Sequence, residues 1–301
     1  MKSLLDSALA NLLPWMPKPL VGWVAKKYVA GETIDDAIET VKRINANGAR
    51  ATLDYLGEFI TSDIEAHETA IAYKDLLRAI KRDCLEANIS VKLSAVGLLM
   101  NPELCKAIML DLCFYAKEYG SFVRIDMEDS QCTQATIDLY LALRKEYDNV
   151  GLVLQAYLKR TLDDIETITA ANAGHFRLCK GIYIEPAELA YKTHDEVNAN
   201  YLKALEAMFQ ANATVGIATH DIELVEGAKK LIEQYKRDVS QYEFQMLLGV
   251  NEALGQQLIA EGHPLRIYVP YGHHWYGYSL RRLKENPKIA GYVLKSLLHL
   301  S

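Results

Sequence analysis

The chain has 301 residues, half of them hydrophobic, and its 39 acidic side chains exceed its 33 Lys and Arg, which gives a formal net charge of −6. This composition supports one large domain or two ordinary ones, and the lack of a long basic run argues against a nucleic-acid partner. The five cysteines are scattered and form no C-x-x-C pair, which is typical of reduced thiols in a cytoplasmic protein.

The N-terminal segment is apolar, but it does not have the features of a signal peptide or a membrane-spanning helix. Asp6 interrupts the apolar run, three prolines follow between positions 14 and 19, and no stretch approaches 18 uncharged apolar residues. Residues 12–28 combine tryptophans with lysines, as interfacial membrane segments do. The prolines favour the alternative, in which this segment packs on the rest of the protein.

Residues 31–48 have the pattern of one helix. Thr33 is a suitable N-cap with Asp36 three residues later, apolar residues recur at helical spacing, and Gly48 suits the C-cap. We expect residues 1–48 to form a helical segment that packs on a single catalytic domain formed by residues 49–301.

After this helix, short aliphatic runs alternate with longer segments of helical period. Eight runs predict strands, at residues 50–56, 89–95, 122–128, 151–157, 176–182, 215–220, 242–248 and 265–271. Eight such repeats predict an α/β fold, a (β/α)₈ barrel, and the near-continuous apolar character suggests strands buried on both faces. Common nucleotide-binding and zinc fingerprints are absent from the sequence.

Polar residues occur at the ends of nearly all these runs, where barrel enzymes assemble their sites. They are Lys92, Asp126, Glu128, Gln155, Arg177, Lys180, Thr219, His220, Asp221, Gln245 and Tyr268. Lys92 and Asp126 are consistent with a structural pair, but desolvation largely cancels the gain from such a pair, so a functional role is favoured. Gln155 and Gln245 fit either interpretation. The spacing of His220 and Asp221 from His273 and His274 matches no common ligand set, so we expect no metal.

The stretch YVPYGHHWYGYSLRRLKENPK, residues 268–288, carries two adjacent arginines. On a helix, Tyr271, Trp275, Tyr278, Arg282 and Glu285 would form one stripe. Arg281 would pair with Glu285 at i+4. The alternative is a solvated ion pair on a surface helix, which contributes little.

The charges of these candidates indicate the kind of ligand. Lys92, Arg281 and Arg282 oppose Asp126 and Glu285, so three cations against two carboxylates leave one positive charge. A buried unpaired cation is costly, so a ligand with one carboxylate would complete the group. The aromatic neighbours suggest that the remainder of the ligand is small and apolar. No nucleophile with an adjacent base occurs in the set, which favours chemistry supplied by a cofactor.

At these residues the sequence resembles the proline dehydrogenase family in its monofunctional bacterial form. The matching segments span about residues 28–286 and include YVAGETIDDAI, TLDYLGE, SVKLSAVG, RIDMED, LQAYL, RLCKGIYIEP, ATHD, EFQMLLG and RIYVPYGHHWYGYSLRRLKE. The R-R-x-x-E element in the last segment is the most specific.

The resemblance implies a distorted (β/α)₈ barrel that binds FAD without a Rossmann fold and carries its last helix over the mouth. It implies oxidation of L-proline to Δ1-pyrroline-5-carboxylate, the first step of proline catabolism to glutamate, with electrons passing to a membrane quinone. We therefore expect a cytoplasmic protein, with peripheral contact to the inner face of the membrane as the open alternative for residues 12–28.

The resemblance also implies roles for individual residues. Asp126 and Arg177 would be catalytic, with Arg177 near the flavin N5 region. Substrate would be bound by Lys92, Tyr183, Leu247, Tyr268, Arg281, Arg282 and Glu285. FAD would be bound by Met127, Gln155, Arg177, Lys180, Gly181, Ile182, Thr219, His220 and Gln245. Ile182 departs from the alanine usual in the family.

Two rival functions stay open from the sequence. One is FAD-dependent oxidation of a related cyclic imino acid such as hydroxyproline, against which Tyr268 argues because it leaves little room for a hydroxyl group. The other is a non-catalytic carboxylate-binding barrel, against which Arg177, Lys180 and Gln155 argue.

Overall fold

The computed structural model describes residues 18–57 and 60–285, and describes the backbone alone for residues 18–20, 23, 24 and 281–285. The strands are β1 Arg50–Tyr55, β2 Ala87–Val91, β3 Val123–Ile125, β4 Val150–Gln155, β5 His175–Cys179, β6 Thr214–Ala218, β7 Tyr242–Leu247 and β8 Leu265–Tyr271. The α-helices are α1 Lys18–Tyr28, α2 Ile34–Ala46, α3 Asp63–Arg82, α4 Pro102–Glu118, α5 Ser130–Arg144, α6 Thr161–Ala170, α7 His194–Gln210, α8 Ile222–Gln234, α9 Glu252–Ala260 and α10 Trp275–Glu285.

The strands form a closed parallel barrel in chain order, in which β1 pairs with both β2 and β8. This confirms the predicted (β/α)₈ architecture. Several strands end earlier than the sequence indicates, because β2 stops at Val91 and β3 at Ile125. Lys92 and Asp126 therefore lie just beyond the strands, at the carboxyl-terminal mouth of the barrel.

The two faces of the barrel wall differ in polarity, and the expectation of apolar strands on both faces holds for the outer face alone. Leu53, Ile89 and Ile217 are fully buried members of the apolar core between strands and helices. Alternate residues along the same strands point inward, and many of them are polar, such as Asp54 and Ser90. The lumen of this barrel is therefore lined by hydrogen-bonding groups.

Helix α2 begins as the sequence predicts, with a reciprocal capping box between Thr33 and Asp36. Its C-cap is Asn47, one residue before the expected Gly48. Gly48 follows with φ +80°, the left-handed conformation that favours glycine after a helix.

Helix α1 packs against the last helix, α10. Val21, Tyr28 and Tyr278 belong to one apolar cluster. A Cβ atom on Gly22 would lie 3.4 Å from the ring of Trp275, so the two helices approach closely at this glycine. Within the described residues, no helix is both long and apolar enough to cross a membrane.

The predicted helical stripe beginning at Tyr271 is wrong at its first member. Tyr271 is the last residue of β8, paired in register with Tyr55 of β1. Gly272 follows with φ +121°, and α10 begins at Trp275. The turn at Gly272 separates Tyr271 from the helix. The spacing of the aromatic residues therefore predicts a single helix where a strand and a helix follow one another.

Candidate active site

The candidate site is centred on the carboxylate of Asp126, which is 9% exposed at the mouth of the barrel. Its Oδ1 accepts hydrogen bonds from Arg177 NH1 at 2.8 Å and from Ser90 Oγ at 2.6 Å. Its Oδ2 accepts the Tyr268 hydroxyl at 2.8 Å and lies 3.4 Å from Lys92 Nζ. Three strands, β2, β5 and β8, thus supply four side chains to a single carboxylate, because β2 carries Ser90 and is followed directly by Lys92.

A second carboxylate, Asp54 on β1, was missed by the sequence prediction. It is fully buried, and its Oδ2 lies 2.9 Å from Lys92 Nζ. Lys92 is therefore held between two carboxylates and also lies 3.3 Å from the Tyr268 hydroxyl. The sequence signal for Asp54 is an acidic residue within the apolar strand RATLDY, the strand that precedes the one before Lys92.

Burial and charge set the protonation of this group. Burial alone raises the pKa of a carboxyl group, but at Asp126 the charges of Lys92 and Arg177 outweigh it and lower the pKa. Burial raises the pKa of Asp54, with Lys92 opposing the shift. Burial and the carboxylates of Asp126 and Asp54 raise the pKa of Tyr268 well above its usual value. The phenol therefore stays protonated and donates a hydrogen bond to Asp126.

Arg177 lies on β5 and is 6% exposed. Its Nε donates to Gln245 Oε1, and its guanidinium lies 5.3 Å from the centre of the Tyr268 ring. Gln245 in turn donates from Nε2 to Glu243 Oε1 at 2.7 Å. The glutamine orients the guanidinium toward Asp126, and this connects β5 with β7.

The side chains of Arg281, Arg282 and Glu285 lie outside the described residues, although their backbone forms the end of α10. Asp54 and Arg177 must be added to the charge count made from the sequence, and they cancel one another. The prediction of one positive charge awaiting an anionic ligand stays a prediction.

The candidate cofactor residues lie on strands β4, β5 and β7 or in the loops that follow β3, β5 and β6. Gln155 ends β4, and its Nε2 donates to the Glu128 carbonyl oxygen at 2.8 Å. Its Oε1 is buried and has no hydrogen-bond partner in the described part of the chain. Met127, after β3, is 5% exposed. This end of the barrel therefore presents an acceptor in need of a donor.

The loop after β5 makes a tight contact that requires glycine. Gly181 has φ +107°, and a Cβ atom built there would lie 2.1 Å from the Tyr157 ring. Ile182, the departure from the family pattern, is 45% exposed, and Tyr183 beside it is half-buried. The loop lays its backbone on the tyrosine and leaves the isoleucine side chain toward solvent.

A separate cluster surrounds Lys180. Its Nζ lies 2.6 Å from Asp221 Oδ2, which also lies 3.0 Å from His194 Nε2. Thr219 is buried, and its hydroxyl accepts the Asp221 backbone N–H at 3.1 Å. Lys180 and Thr219 thus share Asp221 as a partner.

His220 and Leu247 are also adjacent. His220 Nε2 accepts the backbone N–H of Leu247 at 2.9 Å, so its other ring nitrogen, Nδ1, carries the proton. Both side chains are half-buried. In residues 18–57 and 60–285, no group of three or more His, Cys, Asp or Glu side chains could hold a metal ion.

Glu185 is a further residue that the sequence did not single out. It is 6% exposed, and its carboxylate accepts the backbone N–H and the hydroxyl of Ser130, both at 2.6 Å. An acidic side chain is favourable at the amino-terminal end of a helix such as α5. This contact fixes the loop that carries Ile182 and Tyr183.

A closed parallel barrel with a cluster of buried ionisable groups at its carboxyl-terminal end defines a (β/α)₈ barrel of the enzyme type. The family model described as Proline dehydrogenase matches residues 37–294. The chain belongs to the proline dehydrogenase family.

Similar proteins cover nearly the whole chain. Proline dehydrogenase 1 of Bacillus subtilis strain 168 is 36% identical over 274 residues, which cover 91% of this chain and 90% of the relative. Proline dehydrogenase of Deinococcus radiodurans is 35% identical over 280 residues, with the same coverage. The crystal structure of proline utilization A from Bdellovibrio bacteriovorus superposes with a TM-score of 0.84 at 24% identity. It matches 92% of this chain but 36% of that larger chain, and this likeness shows the fold.

Proposed function

We propose that this protein oxidises L-proline to Δ1-pyrroline-5-carboxylate with a bound FAD and passes the electrons to a membrane quinone. The observation that supports it most is the position of Lys92, fixed between Asp54, Asp126 and the Tyr268 hydroxyl at the barrel mouth. In a chain of this family, such a cation is suited to receive the carboxylate of a small amino acid.

The substrate carboxylate is bound, in this proposal, by Lys92 together with Arg281 and Arg282, with Glu285 as their partner. Asp54 and Asp126 hold the lysine ammonium in place, so little orientation is lost when the substrate binds. Tyr268, Tyr183 and Leu247 pack on the substrate ring and exclude water from it.

The residues at the ends of β4 to β7 fit a flavin. Gln155 Oε1, which has no partner among the described residues, is an acceptor suited to a ring N–H. Gly181 lets the loop backbone lie against the Tyr157 ring, which fixes the loop beside the proposed flavin. Lys180 supplies positive charge at the edge of the site. Met127, Ile182, Thr219, His220 and Gln245 are the other proposed contacts.

The bound flavin would supply the acceptance of a hydride from the ring carbon beside the substrate nitrogen. Arg177 places a positive charge where negative charge would develop, and Gln245 and Asp126 fix its orientation. Asp126 acts at the same time on Arg177, Lys92 and Tyr268, so it sets the spacing between the cofactor and substrate portions of the site.

The N-terminal segment, residues 1–48, is proposed to pack on the barrel domain of residues 49–301. The contact of α1 with α10 supports this for the described part of the segment. A peripheral membrane contact by residues 12–28 is the alternative. Deleting residues 1–27 separates the two. Weaker vesicle binding with normal dye-linked activity supports the membrane role, loss of folding or of FAD supports the packing role, and unchanged vesicle binding contradicts the membrane role.

The absorption spectrum of the purified protein tests the proposed function. We expect a flavin band that L-proline bleaches under anaerobic conditions. Bleaching by hydroxyproline at an equal or higher rate would favour the related imino acid. A colourless protein that binds proline and takes up no added FAD would favour the non-catalytic barrel.

Replacing Lys92 by methionine tests the substrate assignment. Removing a cation that pairs with the substrate should raise the KM for proline at least about 30-fold, since truncating such a buried charge pair costs about 2–5 kcal/mol. FAD content should be unchanged. Lys117→Met, at an exposed lysine 3.2 Å from Asp148 on the outer surface, is the matched control and should behave like the unmodified protein. An unchanged KM in Lys92→Met would remove the lysine from the substrate site.

A further inference from the structure

A polar cavity lies at the end of the barrel opposite the candidate active site, where the strands begin. It has a volume of about 190 Å³, and its lining includes Arg50, Arg124, His175, Glu243 and Arg266. The volume is sufficient for a small polyatomic ion with water. The Arg50 side chain is 51% exposed, so the cavity can be reached from this end.

The wall of this cavity carries an excess of positive charge. Its ionised side chains are three arginines and the single carboxylate of Glu243, which leaves two positive charges. His175 adds none, because burial and the neighbouring arginines hold its pKa well below its usual value. Arg50 also lies 3.8 Å from Glu86, but that carboxylate is 73% exposed and offsets little of the charge inside.

Glu243 is already committed to other partners. Its Oε1 accepts Arg266 Nε and Gln245 Nε2, and its Oε2 lies 3.7 Å from Arg50 NH1. One carboxylate cannot neutralise three guanidinium groups. The excess must be borne by the low-dielectric interior, by water or by a bound anion.

Arg124 is the most deeply buried of the three, at 3% exposure. Its terminal nitrogens lie 3.1 Å from the His175 carbonyl oxygen and ring Nδ1, and its guanidinium lies 5.0 Å from the centre of the Phe122 ring. No carboxylate within the described ranges forms an ion pair with it, and its Nε lacks an acceptor there. Burial, together with Arg177, lowers its pKa to about 9.

The strand beside Arg124 has the shape that this cation requires. A Cβ atom on Gly151 would lie 2.4 Å from Arg124 NH1. Glycine on β4 therefore leaves room for a guanidinium that has no carboxylate partner among the described side chains. A purely structural role would be served more cheaply by an apolar residue at this position.

We propose that this cavity binds a small oxyanion, held by Arg124, Arg266 and Arg50 at the amino-terminal end of the barrel. Guanidinium groups pair well with tetrahedral and planar oxyanions, so inorganic phosphate and a small carboxylate share the required chemistry. The site is separate from the carboxylate site around Lys92, which lies at the other end of the strands.

Thermal unfolding of the complete protein in the presence of anions tests the proposal. Phosphate, sulfate and acetate are titrated separately, with sodium chloride balancing the ionic strength. We expect a saturable rise in melting temperature, as binding to the folded state alone requires. A larger response to phosphate and sulfate indicates a tetrahedral anion, and a larger response to acetate indicates a carboxylate. No saturable response to any of the three overturns the proposal.

Variants locate the bound anion. Arg50→Gln and Arg124→Met should each weaken binding of the responding anion at least about tenfold, as loss of a charge partner does. Arg78→Gln, on an exposed i,i+3 pair of helix α3, is the matched control. If Arg124→Met does not fold, Arg50→Gln still decides, because that side chain is half exposed. Undiminished binding in Arg50→Gln, or binding lost in Lys92→Met instead, contradicts the proposal.

Discussion

The two ends of the barrel lumen solve the problem of buried charge differently. At the carboxyl-terminal mouth, the network around Asp126 contains two cations, Lys92 and Arg177, and two carboxylates, Asp54 and Asp126. At the other end, three arginines share one carboxylate. Balanced charges fix side-chain orientation, whereas unbalanced charges create a potential that favours a ligand of opposite sign.

The two ends are also connected. Arg177 donates to Gln245, Gln245 donates to Glu243, and Glu243 accepts Arg266. This chain of hydrogen bonds crosses the lumen from one polar cluster to the other. The comparison therefore predicts different outcomes when the carboxylate at each end is removed, with Gln245 as the element they share.

Removing the carboxylate of Asp126, at the carboxyl-terminal mouth, should have the largest effect. Asp126→Asn leaves Arg177 without its ion-pair partner and Lys92 with one partner fewer. We expect a loss of about 3–5 kcal/mol in the free energy of unfolding, because an uncompensated buried charge remains. We also expect kcat/KM for proline to fall at least about 100-fold, since the orientation of both cations is lost. Urea unfolding and dye-linked turnover measure the two effects, and Asp148→Asn on the surface is the control.

Removing the carboxylate of Glu243, at the amino-terminal end of the barrel, should reduce stability but not catalysis. In Glu243→Gln the new amide oxygen still accepts from Gln245, so Arg177 keeps its orientation. The three arginines lose the one carboxylate that lines the cavity, and we expect a loss of about 2–4 kcal/mol in stability. The KM for proline should stay within about threefold, a change no larger than about one weak hydrogen bond contributes. A loss of activity as large as that of Asp126→Asn would show that the two ends do not act separately.

The fold was predictable because its signal is repeated along the chain. Eight aliphatic runs alternating with helical segments specify a barrel even when the end of β2 or β3 is displaced by a few residues. The outer face accounts for that signal, since Leu53, Ile89 and Ile217 pack under the helices. The sequence pattern indicates polar residues only at the ends of individual strands, whereas in the structure polar residues line the lumen along its length.

The site was predictable in part. Lys92, Asp126, Arg177 and Tyr268 were selected as polar residues at strand ends, and the structure brings them into one network. Asp54 was missed because a single acidic residue near the end of a strand has no distinctive spacing. Its importance comes from β1 and β2 lying side by side, where Asp54 pairs in register with Ser90. Contacts across a barrel depend on closure, which no local pattern encodes.

A smaller effect is expected at the loop that joins the candidate cofactor residues to β5. Gly181→Ala places a methyl group against the Tyr157 ring, in a conformation with φ +107°. We expect strain of about 1–3 kcal/mol and a matching decrease in FAD affinity, because the loop must move away from the ring. Fluorescence titration of the apoprotein with FAD measures it. Gly120→Ala, where φ is +68° and no atom lies within 4 Å, is the control for backbone strain alone. Equal FAD affinity in both variants would show that the loop does not position the cofactor.

The smallest expected effect is a dependence of stability on pH that arises from His175, in the arginine cluster at the amino-terminal end of the barrel. The pKa of His175 is lowered well below its usual value by burial and by Arg124, Arg144 and Arg266. The unfolded chain binds a proton at this histidine below about pH 6.5, while the folded protein does not. The stabilising contribution is therefore present above that pH and is lost as pH falls below it, by at most about 1.4 kcal/mol per pH unit.

His175→Gln removes this titration and retains an acceptor for Arg124 NH2, which lies 3.1 Å from the ring nitrogen. The slope of unfolding free energy against pH between about 6.5 and 5 should become smaller, although His263, whose pKa burial also lowers, still contributes. His67→Gln, on the exposed side of α3, provides the comparison for loss of a histidine outside the barrel. If the slope of unfolding free energy against pH is unchanged in His175→Gln, the arginine cluster at the amino-terminal end accepts a proton at His175 in the folded state. Its excess positive charge would then increase further as pH falls, and the binding of an oxyanion would strengthen over the same range.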